Sequence, residues 1–181
     1  MVLTETAFPT ADNGITTRSE QLSLLPLVVQ GYRFALPLTD VERLLPLVAV
    51  QPLPQAPDYF IGIMNIDGEP IPLIDLAGRM GIVMHDRYSI DLPLVLLRCG
   101  IMRGAVVVDE VTVVEAISRQ QIRGTELFMG GETAVRGVVN MKAGMTLLMD
   151  GKALIDIKLD PTLLPLTLSD ELRQLCSSSM A

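Results

Sequence analysis

The sequence predicts a mainly β protein, a barrel or a sandwich, made from two copies of one unit. About ten short apolar segments alternate with turn residues along the chain, a pattern typical of all-β domains. Helix is expected only in two short capped turns and in one helix near the C-terminus. The spacing of these segments therefore argues against a βαβ arrangement.

The duplication is visible in two pairs of stretches. The glycine, asparagine and aspartate of FIGIMNIDGEPIPLIDL recur 75 residues later in GVVNMKAGMTLLMD: Gly62, Asn65 and Asp75 match Gly137, Asn140 and Asp150. The stretches 34–45 and 104–115 are offset by 70 residues, and Ala35 and Val41 match Ala105 and Val111. Because structural residues repeat and no catalytic group does, the duplication indicates shared architecture.

Composition excludes several classes of function. The chain has 181 residues, of which 49% are hydrophobic, enough for one sizeable core or two small fused ones. A formal net charge of −7 with scattered Lys and Arg argues against a nucleic-acid partner and against an anionic membrane surface. No apolar run approaches the roughly 18 residues that span a bilayer. The first residues do not resemble a signal peptide, and Cys99 and Cys176 lack ligand spacing, so we expect a cytoplasmic protein with reduced thiols.

The first half of the chain begins with a hairpin. Residues 1–22 are polar and without periodicity, so we expect a flexible arm. Two apolar runs then flank Gly31, whose freedom to adopt positive φ predicts a tight turn. Asp40 is expected to begin a helical turn over residues 41–45. The prolines of residues 48–57 exclude a central strand there.

The repeated block predicts strand, turn, strand and short helix. Residues 60–66 form the first strand, Asp67-Gly68 the turn, and residues 69–74 a partner strand that Pro72 restricts to an edge or an irregular pairing. Asp75 is then expected to cap a short helix that ends at Gly81.

The second half should follow the same plan. A hairpin is expected around Gly100–Gly104, and Ser118 should cap a helical turn. The glycine-rich stretch 124–133 reads as a mobile loop, and residues 153–159 are expected to close the sheet. Residues 169–176 predict a C-terminal helix.

The residues offer little support for an enzyme. Asp75 and Asp150 could in principle form an aspartic-protease dyad, but no hydroxyl residue follows either one to brace it. We interpret both as helix N-caps. His85 is the only histidine, so the sequence lacks the ligands of a metal site and the partners of a catalytic triad. We expect no catalytic residue, cofactor or metal.

The motifs resemble those of the CheW-like family of chemosensory adaptors. The pattern G-x-x-N-x-x-G-x-x-x-P-x-x-D-L, with its proline-rich lead-in, is carried by Pro54, Ala56, Pro57, Tyr59, Gly62, Asn65, Gly68, Pro72, Asp75 and Leu76. Further matches are Val108, Asp109, Val111 and Val114, and then Gly137, Gly144, Leu147, Leu148 and Asp150. The resemblance covers roughly residues 22–160.

The resemblance implies a fold of two pseudo-repeated five-stranded SH3-like barrels packed together, with short helices. The domain would span residues 23–160, with barrels over roughly 23–90 and 91–160, followed by a C-terminal helix and tail over 161–181. The implied function is to couple methyl-accepting chemoreceptors to the regulatory domain of a CheA-type histidine kinase. The family resemblance also implies receptor arrays at the inner membrane, reached through partners and without direct membrane insertion.

The residues expected to bind the kinase or the receptor are Val41, Arg43, Gly62, Asn65, Asp67, Gly68 and Val114. Val41 and Val114 could line a groove between the barrels or belong to the core. Gly62 and Gly68 could serve recognition, close packing, or both. The family usually has N-L-R-G and V-x-E-[IL], where this chain has Asp67 and Arg43. Two departures of opposite sign predict either a reversed ion pair or two independent surface changes.

Two other functions remain open at this point. The chain could be a CheW-like module with a different output, such as pilus motility or second-messenger control. It could also be an unrelated double-barrel domain that binds a small molecule or a peptide, which a closed pocket would favour.

Overall fold

Short strands dominate the computed structural model, which describes residues 21–54, 56–83, 88–124, 126 and 133–157. The predictions for residues 1–20, for His85, for most of 124–133 and for the C-terminal helix with Cys176 lie outside these ranges. The strands are β1 Gln21–Val29, β2 Tyr32–Pro37, β3 Val41–Pro46, β4 Val50–Gln51, β5 Phe60–Ile66, β6 Glu69–Asp75, β7 Pro93–Cys99, β8 Met102–Val107, β9 Glu110–Val111, β10 Glu115–Ser118, β11 Val135–Met141 and β12 Gly144–Met149. Helices α1 Leu76–Arg79 and α2 Gly151–Ile155 follow β6 and β12.

The strands form two sheets, which we call barrel A and barrel B. Barrel A has the order β10-β1-β2-β12-β11, with β9 also paired to β1, and barrel B has the order β3-β7-β8-β6-β5-β4. Within the ranges that the structure describes, each sheet has six strands; without the two-residue strands β4 and β9, each has the five that were expected. Each sheet has a contact between elements that are not paired in it: the Lys142 amide, in the β11–β12 turn, donates to the Glu115 carboxylate of β10 in barrel A, and Arg43 of β3 pairs with Asp67 of the β5–β6 turn in barrel B.

The two repeats exchange their first hairpins. Barrel A joins the hairpin β1–β2 to β9–β12, which come from the second repeat, while barrel B joins β7–β8 to β3–β6 from the first. The sheets therefore do not divide the chain near residue 90, the boundary between the barrels that the family resemblance implied. Sequence similarity identifies the copies, but pairing between strands decides which copy completes which sheet.

Strand register supports the duplication residue by residue. In barrel A, Ala35 lies opposite Leu148 in the parallel pair β2–β12. In barrel B, Ala105 lies opposite Leu73 in the parallel pair β8–β6. These pairs are related by the same offsets of 70 and 75 residues that the sequence shows, and the bulges of β5 and β11 also coincide under the 75-residue offset.

One apolar cluster joins the barrels. It includes Leu27 and Phe34 of barrel A, Ile74 and Val106 of barrel B, and Leu154 of α2, each of them buried. Because α2 packs against β7 and β8, the helix that follows barrel A also contributes to the packing of barrel B. The shared core positions the two barrels relative to each other and to the surface they present.

Two local predictions were wrong. Residues 41–45 belong to strand β3, not to a helix: a 3₁₀ turn, Leu38–Asp40, precedes them, and pairing with β7 overrides the helix-like apolar spacing. Of the residues 153–159 that were expected to close the sheet, 153–155 belong to α2, because Asp150 caps a helix there.

Of the two alternatives predicted from Pro72, an edge strand or an irregular pairing, the structure confirms the irregular pairing. β6 is an interior strand, yet its parallel pairing with β8 covers only Leu73–Asp75, after the proline that has no amide hydrogen.

Candidate functional site

Strand β3 and the β5–β6 turn of barrel B meet at an exposed ion pair. Nη2 of Arg43, on β3, lies 2.5 Å from Oδ2 of Asp67, in the β5–β6 turn. The two side chains are 42% and 74% exposed, so the pair lies in a solvated surface. The two residues that depart from the family pattern with opposite charges, Arg43 and Asp67, are therefore in contact. An exposed pair of this kind contributes only about 0.2–1 kcal/mol to the stability of the fold. Its interest lies in the charges that it presents at the surface.

The turn beside this pair is tightly specified. Asp67 and Gly68 have φ values of 55° and 87°, and a two-residue type I′ hairpin turn requires positive φ at both positions. The Gly68 amide donates a hydrogen bond of 2.9 Å to Oδ1 of Asn65. Asn65 and Gly68 thus hold Asp67 at the tip of the hairpin, where its carboxylate faces Arg43.

A β-bulge directs the side chains of β3. Val41 lies opposite Leu97 and Arg43 opposite Leu96, so Glu42 is the extra residue of the bulge. A regular strand would point Glu42 and Arg43 to opposite faces. Here the two residues reach two neighbouring ionic contacts at the same end of barrel B.

Glu42 is held by two arginines of the β7–β8 hairpin. Arg103 donates from Nε (3.0 Å) and Nη2 (2.6 Å) to the two carboxylate oxygens, and Arg98 donates from Nε (2.9 Å). Nη1 of Arg103 also pairs with Glu69, which follows the Asp67-Gly68 turn. The Arg103 hydrogen bonds hold the pKa of Glu42 below its usual value, against the opposing effect of desolvation. The Glu42 hydrogen bonds in turn raise the pKa of Arg103.

The remaining predicted residues are Gly62, Val41 and Val114. A Cβ on Gly62 would stand 2.4 Å from the carbonyl oxygen of Gln51, so Gly62 allows β4 to approach β5 and is itself buried. Val41 is half-buried against the core that the barrels share. Val114 is 40% exposed and lies in barrel A between β9 and β10. The structure thus brings together Arg43, Asn65, Asp67 and Gly68, and places Gly62 and Val114 apart from them.

Comparison with known proteins identifies the family. The family model for the CheW-like domain matches residues 23–158. The chain belongs to the CheW-like family. It is 24% identical over 141 residues to the chemotaxis protein CheW of Treponema pallidum, a match that covers 75% of this chain and 83% of the relative.

The fold of the CheW-like domain is confirmed by a solved structure. The crystal structure of the scaffolding protein TtCheW from Thermoanaerobacter tengcongensis superposes with a TM-score of 0.67 at 23% identity. The superposition covers 80% of this chain and 99% of that one. The mainly β architecture of two SH3-like barrels, expected from the resemblance, is therefore confirmed. Within the described ranges, none of the helices has the length and apolar character needed to cross a bilayer.

Two exposed apolar side chains lie close in sequence to the ionic contacts of this CheW-like domain. Leu44, next to Arg43 on β3, is 49% exposed, and Ile101 at the tip of the β7–β8 hairpin is 96% exposed. Leu44 corresponds to Val114 of barrel A under the 70-residue offset. Apolar side chains framed by polar groups are typical of protein-docking surfaces.

A cleft of about 470 Å³ opens at one end of barrel A. Leu22, Ile122 and Leu148 line it together with Arg136 and Asp150, which are joined by an ion pair of 2.7 Å. The cleft is open at its rim, where Arg136 is exposed. It is not the closed pocket expected of a domain built around a small molecule.

The two repeated aspartates are N-caps, as interpreted from the sequence. Oδ1 of Asp75 accepts the Gly78 amide at 3.0 Å, and Oδ1 of Asp150 accepts the Ala153 amide at 3.2 Å. Their equivalent places at the end of β6 and β12 follow from the duplication.

The arginines of the β7–β8 hairpin were missed by sequence reasoning. Arg98 and Arg103 lie directly opposite each other across this hairpin. The predicted turn around Gly100 could have paired them, but their acceptor Glu42 lies more than fifty residues away in a strand predicted as helix. No local pattern indicates that contact.

Proposed function

We propose that this protein is a chemosensory adaptor that couples methyl-accepting chemoreceptors to a CheA-type histidine kinase, without chemistry of its own. The family match over residues 23–158 carries the proposal. The adaptor acts in the cytoplasm and joins receptor arrays at the inner membrane through its partners.

The surface of barrel B supports this role. The Arg43–Asp67 pair and Leu44 are exposed, and in our proposal they form, with the tip of the β5–β6 hairpin, the docking surface for a folded partner. In our proposal barrel B binds the regulatory domain of the kinase. The receptor's helical hairpin binds between the barrels, where Val41 and Val114 supply apolar contacts from either side.

The proposal is tested by reconstitution. The protein, the receptor cytoplasmic fragment and the kinase should co-sediment, and kinase autophosphorylation should rise in the ternary mixture relative to kinase alone. The regulatory domain of the kinase should bind with a dissociation constant of about tens of micromolar or tighter. Absence of binding at that level by every CheA-type regulatory domain of the same organism would refute the proposal.

The reversed ion pair supports selectivity for a dedicated partner. A partner with an anionic group suited to a cation in the β5–β6 turn would instead face the carboxylate of Asp67. Like charges that face each other across an interface reduce affinity. We therefore expect poor replacement of an ordinary CheW by this protein in a chemotaxis assay. The doubly exchanged variant Arg43→Glu/Asp67→Arg keeps the pair and should improve replacement. Full replacement by the wild type, with no gain from the exchange, would contradict this selectivity.

A different output, such as pilus motility or second-messenger control, uses the same contacts. Reconstitution with the kinases of each pathway distinguishes these outputs, because the cognate kinase should bind most tightly and show the largest stimulation.

A further inference from the structure

The inference concerns Arg103, which belongs to none of the family motifs quoted above. Its side chain is only 12% exposed, although it lies near the tip of a hairpin. Three of its nitrogens are used: Nε and Nη2 bind the two oxygens of Glu42, and Nη1 binds Glu69. A guanidinium that is bidentate to one carboxylate and bound to a second one is a rigid connection, because its planar fork fixes both directions.

The two carboxylates are sequence neighbours of the exposed ion pair. Glu42 directly precedes Arg43, and Glu69 follows Asp67 by two residues. Arg103 on β8 therefore connects the side chain of the residue next to Arg43 with the side chain of a residue two positions from Asp67.

Because Glu42 lies in a β-bulge, its contact with Arg103 affects the direction of the Arg43 side chain. Glu42 is the extra residue of β3, and a bulge directs the side chains on either side of it. Holding the Glu42 carboxylate in place fixes the rotation of the bulge, which sets the direction in which Arg43 leaves the strand. Without that hold, the bulge can relax and Arg43 can turn away from Asp67.

We propose that Arg103 is a positioning residue of the docking surface, which aligns Arg43 with Asp67 for the kinase regulatory domain by gripping the bulge residue Glu42. This inference rests on the proposed function. It adds a specificity residue on the β7–β8 hairpin that does not itself need to touch the partner.

Arg98 provides a matched control. It lies directly opposite Arg103 in the hairpin and also donates to Glu42, but through a single nitrogen, and its side chain is 53% exposed. Replacing either arginine with glutamine removes one positive charge from the same carboxylate. Only the Arg103 change removes the bidentate grip and the link to Glu69.

The experiment measures the affinity of the full-length protein for the kinase regulatory domain by calorimetry. Arg103→Gln should weaken binding about tenfold or more, whereas Arg98→Gln should change it less than about threefold. Arg103→Lys keeps the charge but not the fork, so it should recover only part of the affinity. Equal effects of Arg103→Gln and Arg98→Gln, or full recovery with Arg103→Lys, would overturn the inference.

A second readout follows the surface without a partner. In amide NMR spectra, Arg103→Gln should shift the signals of Arg43, Asp67 and Gly68, and Arg98→Gln should leave Asp67 and Gly68 nearly unchanged. Should Arg103→Gln fail to fold, Glu42→Gln tests the same grip from its other side. Unshifted Asp67 and Gly68 signals in the folded variant would overturn the inference.

The two readouts separate this inference from the proposed function. If Arg43→Gln and Asp67→Asn weaken kinase binding but Arg103→Gln does not, Arg103 has no positioning role and the adaptor function stands. If no kinase domain binds the wild type, the adaptor function fails, and the NMR comparison still decides whether Arg103 aligns the pair.

Discussion

The hydroxyl of Tyr88 donates a hydrogen bond of 2.7 Å to the carboxylate of Asp75, whose side chain is completely buried. Asp75 uses its other oxygen to cap α1. Burial, and secondarily Asp75, raises the pKa of Tyr88, so the phenol stays protonated and continues to donate. The contact joins the segment before β7 to the end of β6 within barrel B.

Tyr88→Phe should lower the free energy of unfolding by about 1–3 kcal/mol, because a buried carboxylate loses a donor. Tyr32→Phe is the control: Tyr32 is 55% exposed, and its change should stay within about 0.5 kcal/mol. Both are measured by urea denaturation. Equal stability of the two variants would show that the Tyr88 hydrogen bond contributes nothing.

Gly62→Ala should destabilise the fold by about 3 kcal/mol or more, since the new methyl group overlaps the backbone of β4. Its Cβ would lie 2.4 Å from the oxygen of Gln51 and 2.6 Å from Cγ1 of Val50. At Gly68 φ is 87°, and a Cβ added there would have no atom within 4 Å beyond the adjoining residues, so alanine should cost only the backbone strain of about 1–2 kcal/mol. Urea denaturation of both variants measures their unfolding free energies. A larger decrease for Gly68→Ala than for Gly62→Ala would contradict the prediction.

Asp150→Ala should reduce stability by about 1–2 kcal/mol because α2 loses its N-cap. Asp150→Asn keeps a side-chain oxygen for the Ala153 amide and loses only the exposed pair with Arg136, so its cost should be below about 1 kcal/mol. Thermal unfolding distinguishes the two. A loss as large in the asparagine variant would mean that the ion pair, and not the cap, holds this end of barrel A.

Glu42 should contribute to the acid sensitivity of the protein. Its pKa in the folded state lies below the reference value of 4.5, mainly because of the Arg103 hydrogen bonds. The stabilisation is therefore complete above pH 4.5 and is lost as the pH falls through the lower folded value. Glu42→Gln should unfold with a shallower dependence on pH in this acidic range, as measured by denaturation at a series of pH values. An unchanged slope would show that Glu42 is not linked to folding.

Local chemistry allowed much of barrel B to be predicted from sequence. Asp67-Gly68 indicates a turn that needs positive φ twice, and Asp75 before an apolar run indicates an N-cap; both predictions are confirmed. The Arg43–Asp67 contact could be anticipated because the two residues depart from the family pattern with opposite signs.

Long-range pairing accounts for what the sequence did not reveal. The helix expected over residues 41–45 is strand β3 because Val41 and Leu44 pair with Leu97 and Val95 of a distant hairpin. The grip of Arg103 on Glu42 depends on the same pairing. Periodicity and capping describe neighbours along the chain, and neither reports which strand will lie alongside.

The exchanged hairpins imply that one repeat cannot fold by itself. Residues 21–83 alone would supply β1–β2 without β9–β12, and β3–β6 without β7–β8, so both sheets would lack strands. Two separate copies of the unit could complete each other only as a domain-swapped dimer, whose stability depends on concentration. Fusion into one polypeptide makes that association intramolecular. Because each sheet contains strands from both repeats, we expect the two barrels to unfold together.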